Sequence, residues 1–137
     1  GKDKSMIVAL KASASAKGLS LTATDAWKGA YAIGIDAGRG TVVYLRKAGG
    51  SMQEEMTELS GVTDCRVDIT ARTEKTPNGR MTVVEGISLV ITFGDRALSG
   101  KRLEFYNSEV FPSLGSERAL AEKWQKTISS AIQMKNR

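Results

Sequence analysis

The hydrophobic period changes in the last third of this chain, and that change restricts the folds open to it. From Met81 to Phe93 the apolar residues alternate, at Met81, Val83, Ile87, Leu89, Ile91 and Phe93. Successive side chains on a β-strand point to opposite faces, so this alternation predicts a half-buried strand. Past Pro112 the spacing turns helical, with Leu120, Ala121, Trp124, Ile128, Ala131 and Ile132 on one face. The expected class is therefore α+β: a run of antiparallel strands closed by one amphipathic helix whose largest anchor is Trp124.

Upstream segments extend the same plan. Residues 6–17 read as a short Ala-rich helix within an N-terminal segment 1–18, with Ser5 as its cap and Gly18 ending it in the left-handed conformation. Its apolar face is Met6 or Ile7 with Leu10 and Ala14. Leu19 to Ala23 is a weak strand candidate. Tyr31–Asp36, the turn Ala37-Gly-Arg-Gly40 and Thr41–Lys47 form the clearest hairpin signal. Ala48-Gly-Gly-Ser51 ends that hairpin and leads into a polar, flexible stretch with Gln53, Glu54 and Glu55, then a short strand at Met56–Leu59.

Val62–Arg72 reads as a longer strand, with Cys65, Val67, Ile69 and Ala71 facing in. Pro77-Asn78-Gly79 is a turn signal that joins it to the Met81–Phe93 strand. Gly86 inside that strand marks a bulge or a bend. Lys101–Tyr106 is the last strand, with Leu103 and Phe105 inward. The crossing loop from Asn107 to Gly115 is pinned by Val110, Phe111 and Leu114. Ser116 then caps a helix over 116–135, Glu117 suits its positive end, and Lys135 and Arg137 suit its negative end. At 137 residues the whole reads as one domain, with six to seven strands spread over 19–107.

This order resembles the pleckstrin-homology-like (PH-like) fold, a bent antiparallel barrel closed by a C-terminal helix that carries a buried Trp. Ala121-Glu-Lys-Trp-Gln-Lys-Thr-Ile-Ser-Ser-Ala-Ile132 is similar in pattern to that helix. Gly34-Ile-Asp36 followed by Arg39-Gly-Thr-Val-Val-Tyr44 also resembles small bacterial proteins of unknown function. The resemblance spans roughly residues 30–134 and implies a partly open barrel, with the N-terminal helix an addition packed on it or the remnant of an upstream anchor. Phosphoinositide-binding members carry a spaced pair of cations on the returning strand. Val42, Val43 and Tyr44 stand there instead, so lipid binding is not carried over from the family.

Residue chemistry points away from an enzyme. The chain has no His and a single Cys, which removes the usual zinc donor sets and the nucleophile–base pairs. Cys65 reads as a buried apolar thiol. The closely spaced glycines of 34–40 lack the dinucleotide and phosphate-loop fingerprints. Glu85 falls in the inward register, where it would serve as an acid or base; the alternative is that Gly86 turns it outward or that Arg66 or Arg102 pairs with it. No cofactor and no metal are expected. No apolar run approaches the ~20 residues of a membrane span. The opening Gly-Lys-Asp-Lys-Ser, without Met, reads as a form whose upstream segment is gone. A cytoplasmic setting is expected for the fragment, and an upstream anchor or signal is compatible with it.

Two functional classes follow. The first is a non-catalytic binding or scaffold module for a protein or peptide, received at a strand edge near Met56–Leu59 or beside the closing helix. The second uses the net charge of +5 to meet nucleic acid or anionic lipid. Its candidate anion-binding residues are Arg39, Arg46 and Lys47 at one end and Arg72, Lys75 and Arg80 at the Pro77 turn. Trp27, in the polar stretch Thr24-Asp-Ala-Trp-Lys28, is a candidate exposed aromatic contact.

Overall fold

The computed structural model describes residues 1–135. Two helices and seven strands follow in the order α1 (Lys2–Ala16), β1 (Ala23–Trp27), β2 (Tyr31–Asp36), β3 (Thr41–Ala48), β4 (Ser51–Glu58), β5 (Val62–Thr76), β6 (Gly79–Phe93), β7 (Lys101–Asn107) and α2 (Glu117–Lys135). Strands form two antiparallel sheets, one of four in the order β1-β2-β3-β4 and one of three in the order β5-β6-β7. The class is α+β, as expected. Among the described residues no closed barrel forms. The chain divides into two compact units, residues 1–61 with the end of α2 from Ala131, and Val62–Ser130.

In the first unit α1 packs across β1, β2 and β3. Met6, Leu10 and Ala14 lie one helical turn apart and form a buried cluster with Leu19, Ala32, Val43 and Leu45. Ser5 does not cap this helix. Gly1 holds the N-cap position, and the Ser5 hydroxyl donates back to the Gly1 carbonyl at 3.3 Å. The far end behaves as expected. Gly18 adopts φ +74°, the Leu19 N–H donates to Ala14 O and the Gly18 N–H to Ser15 O. This paired pattern satisfies carbonyls that a helix end leaves orphaned.

The first strand lies at Ala23–Trp27 rather than Leu19–Ala23, because Leu19 and Leu21 are drawn under α1. The β2–β3 hairpin forms as read, with Asp36 opposite Thr41. Both faces of β2 are buried. The polar stretch after Ala48 is ordered strand rather than flexible chain. Gly49 and Gly50, at φ +56° and +85°, make a two-residue turn, and β4 pairs with β3 along its whole length. Glycines at both central positions permit that turn, so eight residues of β4 follow directly.

In the second unit β5 and β6 are 15 residues each, so β5 continues past Arg72 to Thr76. Ile87, Leu89 and Ile91 are buried as the alternation requires. Met81 is not: it is 49% exposed. The reason is topological. β7 pairs with β6 only from Gly86 to Ile91, so among the described residues the outer part of the β5–β6 hairpin is a two-stranded arm of its sheet. A register shift between Thr70 and Ala71 leaves Glu85 as the extra residue next to Gly86, which is the expected bulge. The crossing loop differs from expectation: Val110 and Leu114 are exposed, and the Tyr106 hydroxyl donates to the Phe111 carbonyl instead. Ala121, Trp124 and Ile128 form the buried face of α2, with Trp124 1% exposed. Gln125 donates to the Cys65 carbonyl at 3.2 Å and ties α2 to β5. Arg137, expected to complement the end of this helix, lies outside the described residues.

Candidate functional site

A groove of about 530 Å³ opens in the first unit. Lys17 and Leu19, just past α1, form one wall; Gly38, Arg39 and Thr41 of the β2–β3 turn form another; Met56 and Glu58 of β4 form the third. Three chain segments far apart in sequence therefore converge. Leu19 and Met56 supply its apolar surface and are continuous with the cluster beneath α1. Lys17, Arg39 and Glu58 are exposed at its edge.

One buried carboxylate holds two of these walls together. Asp36, at the end of β2, accepts the Ser20 N–H on Oδ2 at 2.8 Å and the Arg39 N–H on Oδ1 at 3.0 Å. Ser20 adjoins Leu19 on the first wall, and Arg39 belongs to the second. Those backbone donors hold the Asp36 carboxyl below the usual carboxylate range, with the Arg39 charge adding to them against the cost of burial. Thr41 Oγ1 donates to the Arg39 carbonyl at 3.4 Å. The backbone beneath the Arg39 side chain is thus fixed before any ligand arrives.

Of the residues expected to bind anions, only Arg39 lines the groove. Arg39, Arg46 and Lys47 do not share one end as expected. Arg39 precedes β3 whereas Arg46 and Lys47 sit near its far end, roughly 20 Å away by the rise of a strand. Arg46 donates to Gln53 across the β3–β4 ladder. Arg72 donates to Glu74 and lies 3.7 Å from Glu85, so its charge is answered locally. The bond to Glu74 raises the already high pKa of Arg72. Lys75 and Arg80 stand directly opposite one another near the tip of the β5–β6 arm. The expectation of an exposed contact at Trp27 is corrected: the residue is 7% exposed, and its ring stacks on Tyr31, centroids 5.2 Å apart.

Glu85 finds Arg72 as its partner; Arg102 pairs with Asp68 instead. Cys65 is buried, and desolvation, with the Asp64 charge beside it, pushes its thiol up to about 12. Among the described residues no group of three or more acidic or thiol side chains is arranged to hold a metal ion. No described helix is long and apolar enough to cross a membrane. Sequence reading missed Lys17, Asp36 and Glu58 as parts of a site. The signal for Asp36 was present, since a carboxylate three residues before Arg39 at a strand end favours a side-chain-closed turn. Comparison with known proteins finds no match to a family model, a curated protein or a solved structure.

Proposed function

We propose that this chain is a non-catalytic binding module that captures a protein or peptide partner. The groove beside β4 carries this reading. It combines an apolar surface with a few convergent charges on a preset backbone, the usual make-up of a recognition site. β4 is an edge strand of its sheet, exposed from Ser51 to Glu55, with Met52 44% exposed, and it runs into that groove. An extended peptide can add to such an edge and place its side chains in pockets along the way. None of the groove side chains pairs a nucleophile with a base; the Thr41 hydroxyl is turned to the Arg39 carbonyl.

Within this proposal the four-plus-three strand order and the terminal helix are taken as a PH-like arrangement, and the module as the cytoplasmic part of a longer or membrane-tethered bacterial protein. Selection of random peptides on the immobilised chain tests the binding role. Selected peptides should perturb amide resonances of β4 and of the 36–41 turn. Absence of selection above background at both about 50 mM and about 150 mM salt removes the role.

A second reading rests on the Lys75–Arg80 pair. Like charges placed directly across a ladder destabilise it. Thr73 and Thr82 share their face, so the arm presents cations and hydroxyls together. A phosphate-bearing partner would satisfy both. Binding to duplex DNA or to anionic vesicles that falls steeply with salt supports this reading, and no binding at about 50 mM salt ends it.

A further inference from the structure

We infer that Asn78, at the tip of the β5–β6 arm, is a site of spontaneous modification: attack by the next backbone nitrogen expels its side-chain amide and leaves aspartate and isoaspartate in the loop between Lys75 and Arg80. The inference is independent of both binding readings above.

Three asparagines occur in the chain, and only Asn78 precedes a glycine. Pro77 and Asn78 form a two-residue loop, with Thr76 paired to Gly79 across its base. Asn78 and Gly79 are both exposed. Gly79 adopts φ +134° and has open space where a Cβ would stand, so nothing screens its nitrogen. Among the described residues none holds the Asn78 carboxamide by a hydrogen bond, which leaves it free to turn toward that nitrogen. Asn107 is the contrast. Its Nδ2 donates to Glu104, its Oδ1 accepts the Glu109 N–H, and Ser108 follows it.

A firm hairpin would keep the glycine nitrogen in the ladder and away from its neighbour. This ladder end is weak. Lys75 and Arg80 stand directly opposite one another, and like charges so placed destabilise the pairing. A two-stranded hairpin has little stability of its own, and sparsely packed ends open most often. The same two cations favour the anionic form of the Gly79 nitrogen, the form that attacks. The acids nearest them are engaged elsewhere: Glu74 and Glu85 both lie against Arg72, whose position on β5 faces away from that of Lys75.

The step balances without an oxidant or a reductant. The Gly79 nitrogen gives up its proton and bonds to Asn78 Cγ. The Cγ–Nδ2 bond breaks, and ammonia departs with that proton. Water then opens the five-membered imide at either carbonyl, which yields aspartate or isoaspartate. A neutral loop becomes anionic beside two cations, and isoaspartate also lengthens its backbone by one methylene.

The folded full chain, incubated in mildly alkaline buffer and digested with trypsin, tests this by mass spectrometry. The peptide that ends at Arg80 should pass from the amide to the acid mass and contain isoaspartate, while Leu103–Arg118, which carries Asn107, should keep its amide. Lys75→Glu replaces the like-charge pair with an attractive one and should slow conversion roughly 1.5- to 5-fold, the change in open population that such a pair brings. Retention of the Asn78 amide in the folded chain, under conditions where the chain unfolded in urea converts, overturns the inference. Equal conversion at Asn107 overturns it as well. A Lys75→Glu rate equal to that of the wild type overturns the part assigned to the cations.

Discussion

The buried carboxylate of Asp36 accepts a hydrogen bond from the backbone N–H of Ser20, sixteen residues earlier, at 2.8 Å. Its other oxygen accepts the Arg39 N–H. Holding two walls of the groove this way makes the site sensitive to acid. The Asp36 carboxyl is depressed in the folded chain, so it adds stability above the unfolded value of about 3.9, and that stability is lost as pH falls through the lower folded value. Urea midpoints measured from pH 6 downward should fall in the wild type below about pH 4. Asp36→Asn should be less stable at pH 6 and show a flatter acid limb. A variant with the wild-type pH dependence would show that the carboxylate contributes nothing.

Gly34 sits where Leu10 of α1, Leu21 and β1 close tightly over β2. A Cβ there would lie 2.8 Å from Leu21 Cδ1, 3.1 Å from Leu10 Cδ2 and 3.3 Å from the Ala23 carbonyl oxygen. The side chains can yield in part, but the carbonyl belongs to the neighbouring strand. Gly34→Ala should therefore cost about 1–3 kcal/mol, the range for overpacking a filled core. Thermal or urea unfolding measures it. An unchanged midpoint would mean that α1 stands farther from β2 than described.

Lys75 and Arg80 offer a test in the opposite direction. Lys75→Glu places opposite charges across the ladder and should stabilise the arm by about 0.2–1 kcal/mol. Amide exchange at the tip reads this locally. The same change should remove whatever affinity the arm has for DNA or anionic vesicles. Slower exchange with binding retained would separate the charge conflict from function.

Cys65 should be silent in the folded protein. Its thiol is buried and pushed up to about 12, so the reactive thiolate is scarce at pH 8. A disulfide reagent should react only as fast as the chain opens, and the rate should rise sharply in urea. Rapid stoichiometric labelling of the native protein would contradict the burial described.

Much of the fold could be read from periodicity, and the failures have physical causes. α2 revealed itself because Ala121, Trp124 and Ile128 bury one face while the rest is polar. Gly86 announced a bulge because a strand interior gains little from glycine otherwise. Only the end of β4 at Met56–Glu58 was read as strand; Ser51–Glu55 was hidden because a fully exposed stretch has no reason to alternate. Met81 misled for a related reason: its alternation continues onto an arm that has lost its neighbour. The groove was the least legible feature. Lys17, Arg39 and Glu58 carry no shared motif, and only folding unites them. Arg39 stood out as a cation, yet Asp36, which fixes its backbone, looked like an ordinary strand end.

The acidic residues of β4 have a consequence for how copies of this chain treat one another. An edge strand is a template for any other strand, its own twin included. Glu54 and Glu58 stand along that edge, so a twin arriving there meets repulsion where a basic visitor would meet attraction. The guard is ionic and weakens as salt screens it. Concentrated salt would therefore disarm it, and edge-to-edge stacking of twins should be most favoured there.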